Sequence, residues 1–163
     1  MSRASNHPGT NPLRYRSYWG GFLLGIAMMA AIDEIVFHQI LAWHHFYDDA
    51  TPRIALLSDG LLHAAELFVF VFGFFLMLDA RRRRSFWAAA SWAAFVTGLG
   101  LFQLWDGVID HKVLRLHQVR YGVDLLPYDF AWNAAGALLL ATGIIWTATL
   151  ARRAQSAQIA QTS

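Results

Sequence analysis

The stretch YWGGFLLGIAMMAAIDEIVFHQILAWHHF (residues 18–46) is apolar for long enough to cross a bilayer, yet its second half carries Asp33, Glu34, His38, His44 and His45. A hydrocarbon core of about 30 Å takes about 20 residues of helix. Three further blocks of that size follow, from about Ile54 to Leu78, Phe86 to Leu116 and Tyr128 to Leu150. The whole chain of 163 residues is 56% hydrophobic and only 15% charged, against roughly 25% charged in an average soluble domain. In lipid every backbone N–H and C=O must be paired inside its own element, which makes each block a helix. The fold class expected is therefore all-α, a polytopic membrane protein built as an antiparallel four-helix transmembrane bundle with short connections. Residues 1–17 and 152–163 are polar and are expected to be loose tails flanking a transmembrane domain at 18–151.

Charge sets the expected orientation. Arg3, Arg14 and Arg16, the run Arg81 to Arg84, and Arg152 with Arg153 fall at one end of the helices, whereas Arg53, Lys112, Arg115 and Arg120 fall at the other. Cytoplasmic loops retain Lys and Arg in excess, so both termini are expected in the cytoplasm and the loops around Asp48 and Gln118 outside. The apolar blocks and a net charge of only +2 make the bilayer the natural partner and argue against nucleic acid. The chain has no cysteine, which excludes disulfides, iron–sulfur clusters and thiolate sites and leaves imidazole and carboxylate as candidate metal ligands.

An ionisable side chain within a spanning segment costs at least about 2.5–3.5 kcal/mol on insertion scales, so its presence points to function. Besides the first block, the second carries Asp59, His63 and Glu66, the third Asp106, Asp110, His111, Lys112 and His117, and the fourth Asp129 and Asn133. Residues three, four or seven apart share a helix face. On that rule Glu34, His38 and His45 form one stripe, Asp59, His63 and Glu66 a second, and Gln103, Asp106, Asp110 and His117 a third. Inward stripes of His and carboxylate are how a helical bundle assembles a metal site. Moreover, Asp33, His38 and His44 recur as Asp106, His111 and His117 at a constant offset of 73, with Leu41 and Leu114 in the same register. Asp59 and His63 have a weaker echo in Asp129 and Asn133. The pattern reads as a duplicated helical hairpin whose pseudo-two-fold axis runs along the membrane normal. On straight helices, at about 100° per residue, His38 would stand about 140° around from Asp33, and His111 from Asp106. Either two metals are present, or one layer binds metal and the other holds the imidazoles by hydrogen bonds.

The strings DEIVFHQILAWHH (33–45), SDGLLHA (58–64), LWDGVIDHKVLRLHQVRY (104–121) and YDFAWN (128–133) resemble the signature of an uncharacterised family of bacterial four-helix membrane proteins, a domain of unknown function. The resemblance covers about residues 18–150 and implies a multi-pass protein of the bacterial inner membrane. It implies functional positions at Asp33, His38, Gln39, His44, His45, Asp59, His63, Asp106, Asp110, His111, His117 and Gln118. Glu34 departs from the family pattern, which has Gly after the Asp, as Gly60 and Gly107 are here. The gene context of relatives implies a link to respiratory oxidase assembly factors, and so to copper or haem handling.

The residues together predict a bound transition metal, copper or zinc first, with iron or manganese favoured if carboxylates dominate. His38, His63 and His111 are the expected inner ligands, with Asp106, Asp110, Asp33 and Asp59 as carboxylate ligands or imidazole partners, and His44, His45 and His117 guarding the outer entrance. Three other readings stay open: polar pairing that holds the helices together, haem b between His38 or His63 and an opposing His111, and a proton or ion relay. No nucleophile motif stands beside the cluster, so binding or delivery of metal is expected ahead of catalysis. Gly21-x3-Gly25 is compatible with a homo-oligomer.

Overall fold

The computed structural model describes residues 11–162. After a 3-10 turn at Pro12–Arg14 come α1 (Arg16–Ile32), continued without a break by the π-helix π1 (Asp33–Ile40), then α2 (Pro52–Arg82), α3 (Ala88–Trp105), continued by π2 (Asp106–Val113), and α4 (Leu125–Thr162). Among the described residues, the four rods Arg16–Ile40, Pro52–Arg82, Ala88–Val113 and Leu125–Gln161 are long and apolar enough to cross a membrane. The all-helical membrane fold required by the composition is the fold observed.

The boundaries shift in informative ways. The first helix stops at Ile40 rather than Phe46, and the third at Val113 rather than Leu116. Hydropathy overran both ends because Leu41, Trp43, Phe46, Leu114 and Leu116 continue the apolar run through loop segments. At the opposite end α4 continues to Thr162, so the stretch expected as a C-terminal tail is helical as far as it is described. Ala, Gln and Arg are good helix formers, and neither Gly nor Pro interrupts the stretch. Residues 1–10 of the expected N-terminal tail lie outside the described residues, while Arg16 and Ser17 already belong to α1.

The helices are not equivalent in their packing. α1 and α3 lie side by side at the centre, α2 packs on α1, α4 packs on α3, and no extensive contact joins α2 to α4 among the described residues. Accordingly, 44% of the central apolar stretch of α1 and of α3 is buried, against 11% for α2 and α4, whose remaining surface suits lipid. The close approach of α1 and α3 depends on glycine. A methyl group at Gly25 would run into the Phe95 carbonyl, and one at Gly98 into the Phe22 carbonyl. These pairs are related by the same offset of 73, so the crossing itself has two-fold character. Small residues at such crossings let membrane helices gain packing contacts that lipid cannot replace. The crossing brings π1 and π2 together at one end. At the other end Arg16 and Arg83 pair with Asp79 at 2.7 and 2.8 Å.

Candidate metal centre

A π-helix closes hydrogen bonds between residues five apart, so side chains at that spacing stack. The Leu41 N–H donates to the Val36 carbonyl at 2.8 Å, and the Leu114 N–H donates to the Ile109 carbonyl at 2.7 Å. This local widening swings His38 over Asp33 and His111 over Asp106, pairs that a straight α-helix holds on different faces. Each π-helix then ends on a left-handed residue that is not glycine, Ala42 at φ 48° and Arg115 at φ 55°. Such a conformation costs about 1–3 kcal/mol and persists where the surroundings enforce it. The turn is held by Trp43 N–H to Phe37 C=O and by Leu116 N–H to Asp110 C=O, both at 2.9 Å. The reversed chain carries His44 and His117 inward, where they join the histidines of the π-helices.

The result is a cluster with approximate two-fold symmetry. The His44 and His117 rings are stacked, 4.6 Å apart and 4° from parallel. His38 packs edge-on against His44 at 4.5 Å, and His111 packs against His117 at 4.6 Å. In the first half, Asp33 lies 3.4 Å from His38 Nε2 and 3.8 Å from His44 Nε2. In the second half, Asp106 lies 3.2 Å from His111 Nε2 and 3.3 Å from His117 Nε2. All six residues are at most 4% exposed.

Backbone carbonyls fix the tautomers of the stacked pair. His44 Nδ1 lies 2.9 Å from the Val119 carbonyl oxygen, and His117 Nδ1 lies 2.9 Å from that of Phe46, another pair related by 73 residues. A carbonyl can only accept, so each Nδ1 carries the proton and donates it. In a neutral ring, Nε2 then presents its lone pair to the interior. Among the described residues, Nε2 of His44 and of His117, both ring nitrogens of His38 and of His111, Asp33 Oδ1 and Asp106 Oδ2 are buried without a hydrogen-bond partner in the protein. The carboxylate approaches above are close in distance but not aligned as hydrogen bonds. Each buried polar group left in that state costs about 1–3 kcal/mol.

Protonation of the two loop histidines differs. Burial, then the neighbouring rings of His117, His38 and His111, pushes His44 down to about 2, which leaves it neutral. Burial also opposes charge on His117, but the adjacent Asp106 outweighs it and raises the pKa on balance.

The structure reorders the expected ligand set. His44 and His117, expected at an outer entrance, are both buried in the cluster, at 4% and 1% exposure, because the helices end before them and the chain folds back. His63, expected as an inner ligand, stands apart: its side chain is 56% exposed and its Nδ1 pairs with Glu66 at 2.6 Å. Its helical stripe does exist, but α2 flanks α1 and turns only part of that stripe inward. Asp59 and His45 meet each other at 2.6 Å beside the first half of the cluster. Three donor groups have atoms that all lie within 4.8 Å of one another, His38/His44/His117, Asp106/His111/His117 and Glu34/His38/Asp59; the buried Asp110 belongs to none of them, and Asp33 joins the cluster only through its pairwise approaches to His38 and His44. Lys112 is tied to Asp129 at 2.6 Å. Glu34, set apart by the family pattern, is buried at 3% exposure beside His38. The carbonyls of Phe46 and Val119 had no sequence signal as single residues; only the offset of 73, extended into the loops, would have paired them.

No curated protein and no solved structure matches the chain. A family model described as "Predicted membrane protein (DUF2243)" matches residues 20–150, a span that takes in all four helices and the whole histidine cluster, and the chain belongs to that family.

Proposed function

We propose that this membrane protein binds transition-metal ions in a two-fold centre formed by Asp33, His38 and His44 in one half and Asp106, His111 and His117 in the other. The observation that carries the reading is the tautomer lock: each loop histidine gives its Nδ1 proton to a backbone carbonyl and leaves a buried, unpartnered Nε2 facing the cluster. A carbonyl holding the distal ring nitrogen is the usual outer support of a metal-bound histidine. The spacing agrees as well. Two donors bound tetrahedrally at about 2.0–2.1 Å stand roughly 3.3–3.4 Å apart, and the Asp–His separations within the halves run from 3.2 to 3.8 Å.

Two imidazoles and one carboxylate per half suit zinc or copper, and also non-haem iron. Haem has less support, because a macrocycle between His38 and His111 would need the space filled by the His44 and His117 rings. His63 stands outside that space. The role that fits a fully buried centre with no nucleophile beside it is metal binding or delivery. A respiratory oxidase assembly pathway, the setting implied by the resemblance, is the proposed destination of that metal. We place the termini in the cytoplasm of a bacterial inner membrane and the centre towards the outer face, on the positive residues at the opposite helix ends.

Elemental analysis and a visible spectrum of the detergent-purified protein test this reading. About two equivalents of zinc, copper or iron without a Soret band are expected for a site with two complete halves. Iron with a Soret band would replace it with a haem protein. Failure to take up any of these ions after reconstitution would return the cluster to a structural or proton-relay role.

A further inference from the structure

The two-fold pattern is broken on one side. In the first half Glu34 follows Asp33, whereas Gly107 follows Asp106 in the second. A side chain at Gly107 would collide with Asn133 Oδ1 and with the Trp132 ring, so α4 seals that position. Trp132 is itself fixed by reciprocal bonds with Gln103, 3.1 Å from its Nε1 to the Gln103 carbonyl and 3.0 Å from Gln103 Nε2 to its own carbonyl. The first half has no such plug. There a cleft of about 640 Å³ is lined by Glu34, Gln39, Asp59 and His63, between the first helical rod and α2.

We propose that Glu34, Asp59 and the Nδ1 side of His38 form a separate site for a divalent first-row cation, present in this half alone, through which the centre is loaded. His38 Nδ1 lies 2.8 Å from Glu34 Oε2 and 3.2 Å from Asp59 Oδ1, and the three residues are 2%, 3% and 1% exposed. Among the described residues, both His38 Nδ1 and Glu34 Oε2 are buried without a hydrogen-bond partner in the protein. Neighbouring donors hold the carboxylates in place. Gln39 Nε2 donates to the far oxygen of Glu34, Oε1, at 2.8 Å and His45 Nδ1 meets the far oxygen of Asp59, Oδ2, at 2.6 Å, while the Phe46 N–H donates at 2.7 Å to Asp59 Oδ1, the oxygen that also faces His38. Two buried carboxylates at one imidazole repel each other unless positive charge, a proton on the ring or a metal ion in its place, stands between them. The set has more oxygen than the centre and suits a harder ion such as Mn²⁺ or Fe²⁺. His38 joins the two sites, because its Nε2 faces Asp33 in the centre while its Nδ1 faces the cleft. A neutral imidazole has a single lone pair, so with both sites filled His38 bridges them as an imidazolate and its remaining ring proton is released to solvent as the cleft ion binds.

The site shares only His38 with the proposed centre, and cobalt binding separates the two. The full chain, freed of metal in detergent, is titrated with Co²⁺ by visible absorption and elemental analysis as wild type, Glu34→Gly, Glu34→Gln, Asp59→Asn and a His44→Ala/His117→Ala double variant. Glu34→Gly copies the second half, and the nearly isosteric Glu34→Gln carries the test if the glycine variant does not fold. The expected result is about one equivalent fewer in each Glu34 and Asp59 variant, slower filling of what remains, and loss of the central equivalents in the double variant. Wild-type stoichiometry and filling rate in the Glu34 and Asp59 variants, with the double variant still depleted, would overturn the cleft site and leave the centre standing. No cobalt bound by the wild type would overturn both.

Discussion

The first and second halves of this chain build the same device from different sequence. Both run an α-helix into a π-helix, both stop it on a left-handed non-glycine residue, and both return a histidine that bonds the opposite half's backbone. Around that device they diverge: Glu34, Asp59 and His45 make the first half's flank acidic and open, while Trp132, Asn133 and Gly107 close the second. What is duplicated is the part that needs unusual backbone, and what differs is access to it.

Breaking both halves at once should have the largest effect. The double change His44→Ala/His117→Ala removes both locked Nε2 donors, and the purified protein should lose the central equivalents of metal while the helical circular dichroism persists. Next comes the shared crossing. Gly25→Ala and Gly98→Ala push the helices apart against the Phe95 and Phe22 carbonyls, and each should cost about 1–3 kcal/mol of stability, read as a lower midpoint in thermal melting in detergent. Equal losses would support the two-fold crossing, and an effect in one half only would break it.

Acid should act more gradually. Asp106 raises the pKa of His117 despite its burial, so protons compete with metal at this ring from a higher pH than at a free imidazole. Apparent metal affinity should therefore begin to fall above the ordinary imidazole value of 6.5 and continue to fall as the pH drops below it, by up to roughly tenfold per unit for each proton displaced. A titration calorimeter would show matching proton release, and a pH-independent affinity would contradict the assignment of His117. The smallest effect is expected from His63→Ala. Its ring pairs with Glu66 and leaves the centre untouched, so the central metal content should be unchanged, and loss of metal would return His63 to the ligand set.

Much of this was legible in the residues. Lipid-sized apolar blocks dictate four helices, and the offset of 73 between Asp33, His38, His44 and their counterparts matches the approximate two-fold arrangement of the cluster. The 140° conflict between Asp33 and His38 was the trace of something unseen, since ideal α-helical geometry has no place for a π-helix, and no residue type at Ala42 or Arg115 signals a left-handed turn. The inward return of His44 and His117 is hidden for the same reason: a hydropathy run cannot tell a helix from an apolar loop folded back on its end. The position of His63 apart from the cluster has no signal in the sequence, because a polar stripe says which residues share a face, not which neighbour that face meets.

The central claim is that imidazole and carboxylate from both halves hold metal at one buried centre. X-ray absorption at the metal edge of the loaded protein addresses it most directly. The account predicts a nitrogen and oxygen shell at about 2.0–2.1 Å with the multiple scattering of more than one imidazole, abolished in the His44→Ala/His117→Ala variant. A shell without imidazole scattering, or one unchanged in that variant, would contradict it.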